Sequence, residues 1–122
     1  VRRGPTAPDE PCLRHRQPDR RNHRMLIVHV HFAVAPENRP AALATLKSES
    51  TKVRAMPGNL GYDLWIDPDN AGCITLIHEW TAAEALNAYR ASDLFKAVGA
   101  ELFPKMVGKP VTRVFSATPV GA

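Results

Sequence analysis

The stretch GCITLIHEWTAAEALNAYR, residues 72–90, changes its hydrophobic period in the middle. Up to Trp80 the side chains alternate: Ile74, Leu76, His78 and Trp80 on one side, Cys73, Thr75, Ile77 and Glu79 on the other, the two-residue period of a strand. Beyond Trp80 the apolar residues Leu86 and Tyr89 fall three apart. Thr81 stands three positions before Glu84, the spacing at which a threonine hydroxyl and a glutamate carboxylate satisfy reciprocal backbone donors. The stretch predicts a strand running into a helix that starts at Thr81, and it puts an imidazole and an indole on one face with two aliphatic side chains.

Upstream, NLGYDLWID (59–67) is a second alternating run, with Leu60, Tyr62, Leu64 and Ile66 opposite Gly61, Asp63, Trp65 and Asp67. The polar turn PDNAG joins the two runs into an antiparallel hairpin. Residues 26–34, LIVHVHFAV, place Leu26, Val28, Val30, Phe32 and Val34 on one face and Ile27, His29, His31 and Ala33 on the other, a strand buried on both sides. Between them, Asn38 is a candidate N-cap, Leu43, Leu46, Ser50 and Val53 recur at helical spacing, and Pro57-Gly58 stops the helix. Downstream, Ser92-Asp93 is a second cap, Leu94, Phe95, Val98 and Leu102 form a helical stripe, and residues 110–118 supply a last strand.

The order strand, helix, strand, strand, broken helix, strand is the ferredoxin-like split βαβ pattern of the α+β class, with an antiparallel sheet. Such a sheet carries helices on one face. Its other face would expose Ile27, Trp65, Cys73, Thr75 and Ile77, more apolar surface than a monomer usually leaves bare, so a homodimer packed sheet on sheet is expected.

Length and charge bound the rest. One domain is expected from 122 residues, over 25–122, and residues 1–24 stand apart from it. They hold seven arginines against Asp9, Glu10 and Asp19, a net +4, and four of the eleven prolines, whereas the other 98 residues balance nine Lys and Arg against nine Asp and Glu. With so few apolar residues, 1–24 are read as a disordered basic tail, or as translated sequence upstream of a start at Met25. The folded part lacks the cationic excess that nucleic-acid binding needs, and no run reaches the ~20 apolar residues of a membrane span. Cys12 and Cys73 make no disulfide or metal framework, and a cytoplasmic location follows.

The segments VHVHFAVAPEN (28–38), MPGNLGYDLWIDPDNAG (56–72) and LIHEWTAAEALNAYRASDLFKAVGAEL (76–102) resemble the antibiotic biosynthesis monooxygenase family, quinol monooxygenase-like proteins of the dimeric α+β barrel fold. The resemblance implies a substrate cavity between the sheet and its helices and a dimer across the other sheet face. Trp80 matches a cavity tryptophan of the family's anthrone-type oxygenases, while Leu76 and Leu86 stand where those enzymes use an asparagine and a tyrosine. Gly99 stands at the iron-ligating histidine of the haem-degrading branch and Val30 at its strand asparagine, so the usual haem ligand is missing. Tyr89 occupies a position that is histidine in many members.

The candidate catalytic residues are His78 as a general base titrating near neutrality, with Trp80 and Tyr89 orienting the substrate. Val30, Phe32, Tyr62, Leu64, Leu76, Leu86 and Phe95 are expected to line the substrate site, with Val28 beside them. Each polar candidate has a structural alternative, a bonded core histidine or a packed aromatic. His29 and His31 share a face and are expected to hydrogen-bond at the dimer interface; no metal site is signalled. Asp63, Asp67, Asp69 and Asn70 lack the spacing of a calcium loop and read as turn residues. The expected function is a cofactor-independent monooxygenase acting with O2 on a small aromatic quinol, phenol or anthrone. The alternatives are a non-catalytic small-ligand-binding dimer, or an isomerase or decarboxylase on a small carbonyl compound.

Overall fold

The computed structural model describes residues 24–121; the basic segment 1–23, with Cys12, lies outside the described residues. The elements are β1 (Met25–Ala33), α1 (Arg39–Arg54), β2 (Asn59–Ile66), β3 (Cys73–Trp80), α2 (Ala83–Arg90), α3 (Asp93–Leu102) and β4 (Val111–Ala117). The four strands form one antiparallel sheet in the order β2-β3-β1-β4, the ferredoxin-like arrangement.

Register aligns the strands in rows. Tyr62, His78, Val28 and Val114 are direct neighbours across the sheet, as are Leu64, Leu76, Val30 and Thr112 in the next row. Because side chains alternate, the even-numbered members of these rows all face the helices. The core there comprises Val28, Phe32, Leu46, Val53, Tyr62, Ile74, Trp80, Leu86 and Tyr89 among others. On α1 the buried residues are Ala42, Leu46 and Val53, four and seven apart, the spacing of one helix face.

Two local expectations are corrected, at the second strand and at Thr81. The alternation of 59–67 is not regular: Asn59 pairs with Trp80 and Gly61 with Glu79, leaving Leu60 as an extra bulged residue. The Asn59 amide donates to the carbonyls of Gly61 and Glu79, holding the bulge. The capping box at Thr81 and Glu84 does not form. Helix α2 starts at Ala83, with Ala82 at its N-cap and no side-chain cap, because the Thr81 amide is already committed to the Gly58 carbonyl at 2.8 Å. At α1, Asn38 is the N-cap without a side-chain bond; a short 3-10 turn over Pro36–Asn38 leads in instead. The Ser92 cap does form, its hydroxyl accepting from the Phe95 amide at 3.2 Å.

The other sheet face carries Ile27, His29, His31, Trp65, Ile77, Val111 and Phe115, with Trp65 59% and Phe115 41% exposed. His31 Nδ1 lies 2.9 Å from the Thr75 hydroxyl, and His29 meets the Phe115 ring edge-on at 5.2 Å, so both histidines have partners within the protomer. Asp67 and Asn70 accept turn amides. Asp63 instead pairs with Arg54 at 3.0 Å, both partly exposed, an ion pair worth about 1 kcal/mol at most.

Candidate functional site

A cavity of about 140 Å³ opens between the helix face of the sheet and α2, α3 and the segment that follows α3. Strands supply its floor: Val28, Val30 and Phe32 from β1, Tyr62 from β2, Leu76 and His78 from β3, Thr112 from β4. Tyr89, Arg90, Phe95, Val98 and Gly99 come from the helices, and Phe103 and Met106 from the chain beyond them. Its exposed members, Arg90, Phe103 and Thr112, mark the mouth.

Of the residues expected from sequence, Val30, Phe32, Tyr62, Leu76, His78, Tyr89 and Phe95 line this cavity. Three are placed elsewhere. Leu64 lines an open groove beside α1 with Leu43, Lys47 and Arg54. Leu86 is buried in the core, and Trp80 is fully enclosed at 0% exposure, one layer behind the cavity wall.

Trp80 acts on the site through His78. Its indole N–H donates to His78 Nδ1 at 2.7 Å, between two buried rings. An indole N–H can only donate, so Nδ1 must be the unprotonated nitrogen and the neutral ring carries its proton on Nε2. That second nitrogen has no hydrogen-bond partner among the described residues. Burial holds the ring at 4% exposure and pushes its pKa down to about 4, with the nearby positive charge of Arg90 adding to the effect. The expected general base titrating near neutrality is therefore corrected: His78 is a neutral imidazole whose accepting nitrogen is occupied.

The aromatic side chains interlock around it. Tyr89 stacks on Trp80 with ring centres 5.2 Å apart and meets His78 edge-on at 5.6 Å, and the Tyr62 ring also lies 5.6 Å from His78. Burial raises the pKa of both phenols, the Tyr89 hydroxyl and the Glu49 charge reinforcing the rise at Tyr62. The Tyr62 and Tyr89 hydroxyls are close enough to perturb each other as hydrogen-bonding neighbours, but the contact falls short of good geometry, and the buried Oε1 of Glu49 makes no hydrogen bond. A buried polar atom without a partner is uncommon in a folded protein. At Tyr62 it lies in a residue that lines the cavity.

Arg90 was not anticipated. In the last turn of α2 a cation reads as a helix-dipole partner, and only its adjacency to Tyr89 signals that it reaches the cavity rim. It makes no hydrogen bond or ion pair with the described residues. Among those residues no group of three or more His, Cys, Asp or Glu is placed to hold a metal ion, and no helix is long and apolar enough to cross a membrane.

Comparison with known proteins extends the picture. Residues 25–101 match the family described as antibiotic biosynthesis monooxygenase. A putative antibiotic biosynthesis monooxygenase from Caulobacter crescentus superposes with a TM-score of 0.75 at 26% identity, covering 80% of this chain and 92% of that one. The Mycobacterium tuberculosis protein Rv0793 gives 0.73 at 23% identity, covering 80% and 99%. A putative antibiotic biosynthesis monooxygenase from Nitrosomonas europaea gives 0.74 at 12% identity, covering 79% and 92%. Curated proteins give no match.

Proposed function

We infer the function from one premise: the chain belongs to the antibiotic biosynthesis monooxygenase family. We propose that it is a cofactor-independent monooxygenase that oxidises a small phenol or quinol with O2 in the cavity beside His78. The reaction draws four electrons from the substrate. Its anion reduces O2, a carbon–oxygen bond forms at the ring, and the resulting hydroperoxide loses water to give a quinone, one oxygen atom staying on the ring and the other leaving as water.

The observation that carries this reading is the apolar cavity whose lining includes His78, with its Nε2–H unbonded among the described residues, and the rings of Tyr62 and Tyr89. Small-molecule sites have this character, and donors in a dry site stabilise a developing anion more strongly than water can. His78 acts here as a donor to the substrate oxygen or the peroxide, Trp80 as the residue that fixes its tautomer, and Tyr89 as an orienting ring. The substrate proton leaves to solvent through the mouth. The exposed apolar side chains of the outer sheet face support a homodimer, and a reducing cytoplasm is the setting that goes with the reading.

The test is O2 uptake by metal-depleted protein with a monocyclic hydroquinone such as methoxyhydroquinone. Uptake above autoxidation, with one labelled atom from 18O2 in the product and a lower rate in His78→Ala, is the expected result; uptake no faster than in buffer would refute it. A second reading, a binding protein without turnover, is favoured by the absence of any carboxylate among the lining residues to take a proton. Ligand retained without O2 uptake would select it.

A further inference from the structure

We propose that the cavity takes a single aromatic ring with a hydroxyl at its inner end and a carboxylate at its mouth, and that Arg90 selects the carboxylate. This deepens the proposed function by naming its substrate class, and the oxidation of such a ring rests on that reading; its binding does not.

Size gives the first part. The cavity holds about 140 Å³, and an apolar cavity of about 150 Å³ accommodates one benzene ring. A fused bicyclic or tricyclic system would have to displace the wall formed by Phe95, Val98 and Leu102, of which the last two are buried core residues, or leave its further rings in water at the mouth.

Polarity at the inner end gives the second. The His78 Nε2–H is a fixed donor with no partner among the described residues, whereas the Tyr62 hydroxyl is buried behind the cavity surface beside that of Tyr89. The two side chains are direct cross-strand neighbours on the cavity floor. A ligand hydroxyl oxygen at the inner end can accept from the His78 Nε2–H.

The mouth gives the third. Arg90 brings a guanidinium to the rim, exposed and bonded to none of the described residues, and no carboxylate is among the lining residues. Glu49, whose charge reaches Tyr62 and Tyr89, is not a lining residue either. A planar fork of N–H donors beside a low-dielectric cavity is matched by a carboxylate, which it binds in two parallel hydrogen bonds. The ring then fills the apolar interior while its anionic substituent stays hydrated at the opening.

The experiment is equilibrium binding by calorimetry at pH 7 to the full chain, without O2. The probes are 3-hydroxybenzoate, the neutral 3-hydroxybenzamide and the bicyclic 6-hydroxy-2-naphthoate. The acid should bind about five- to tenfold tighter than the amide and tighter than the naphthoate, the range expected of a charge-assisted bond near the surface. In Arg90→Gln the ratio of acid to amide should fall to about one; the side chain is exposed and unbonded, so the variant should fold, and its unchanged circular dichroism would establish that. Equal affinity for acid and amide, a preference that survives Arg90→Gln, equally tight binding of the naphthoate, or no binding of any probe would each overturn the proposal. O2 uptake with a neutral hydroquinone alongside any of these leaves the oxidation reading standing. Acid-selective binding without turnover keeps the present proposal and removes the oxidation.

Discussion

The indole N–H of Trp80 donates to Nδ1 of His78 across 2.7 Å, the two residues lying two positions apart on one face of β3. The proton of the imidazole is thereby confined to Nε2. In wild type the 15N resonances of His78 should report that single neutral tautomer, and in Trp80→Phe a mixture of two. The same variant leaves a buried acceptor unpaired and a void behind the ring, and urea unfolding should show a loss of about 2–4 kcal/mol.

Stability should depend on pH through His78. Its pKa is lowered from 6.5 to about 4 on folding, so the unfolded chain takes up the proton first as pH falls. The contribution is whole above about pH 6.5, declines as pH drops through the window, and is gone below about pH 4, a loss of about 3 kcal/mol. Unfolding of wild type and His78→Gln at pH 7 and pH 4.5 checks this: the variant should show the smaller decrease, since carboxylates titrate alike in both.

Tyr62→Phe should stabilise the ligand-free protein by about 1 kcal/mol, because it removes a buried hydroxyl whose contact with Tyr89 falls short of a well-formed hydrogen bond while keeping the ring. Thermal unfolding checks this; a destabilised variant would mean that the hydroxyl has a full hydrogen-bond partner in Tyr89.

Gly72→Ala should be among the costliest small substitutions. A Cβ at Gly72 would overlap the backbone carbonyl oxygen of Val34, whose own amide donates to the Gly72 carbonyl at 2.9 Å. Backbone cannot swing aside as a side chain can, and about 2 kcal/mol or more of stability should be lost in urea unfolding.

What the sequence revealed and concealed divides along physical lines. Alternation in 26–34 and 73–80 identified the strands and the faces of Val28, Phe32, Leu76 and His78, because a side-chain period of two leaves one register that buries them all. Ser92 was legible because the partners of its hydroxyl are local: it donates to the Tyr89 carbonyl and accepts from the Phe95 amide. Thr81 misled because its amide is claimed by Gly58, a residue 23 positions away, and such tertiary claims leave no local trace. The bulge at Leu60 is hidden in a run that alternates perfectly on paper. That His78 and Trp80 share a face could be read; that one bonds the other, removing the imidazole as a base and the indole as a substrate donor, depends on side-chain rotation that spacing does not encode.

With the imidazole titrating at about 4 and both phenols pushed above their usual range, these three rings keep one charge state from about pH 5 to 9. They can neither buffer nor gate. Whatever pH dependence an occupied chamber displays across that interval is then a property brought in by the guest, and a rate profile recorded there would report the guest's own ionisation.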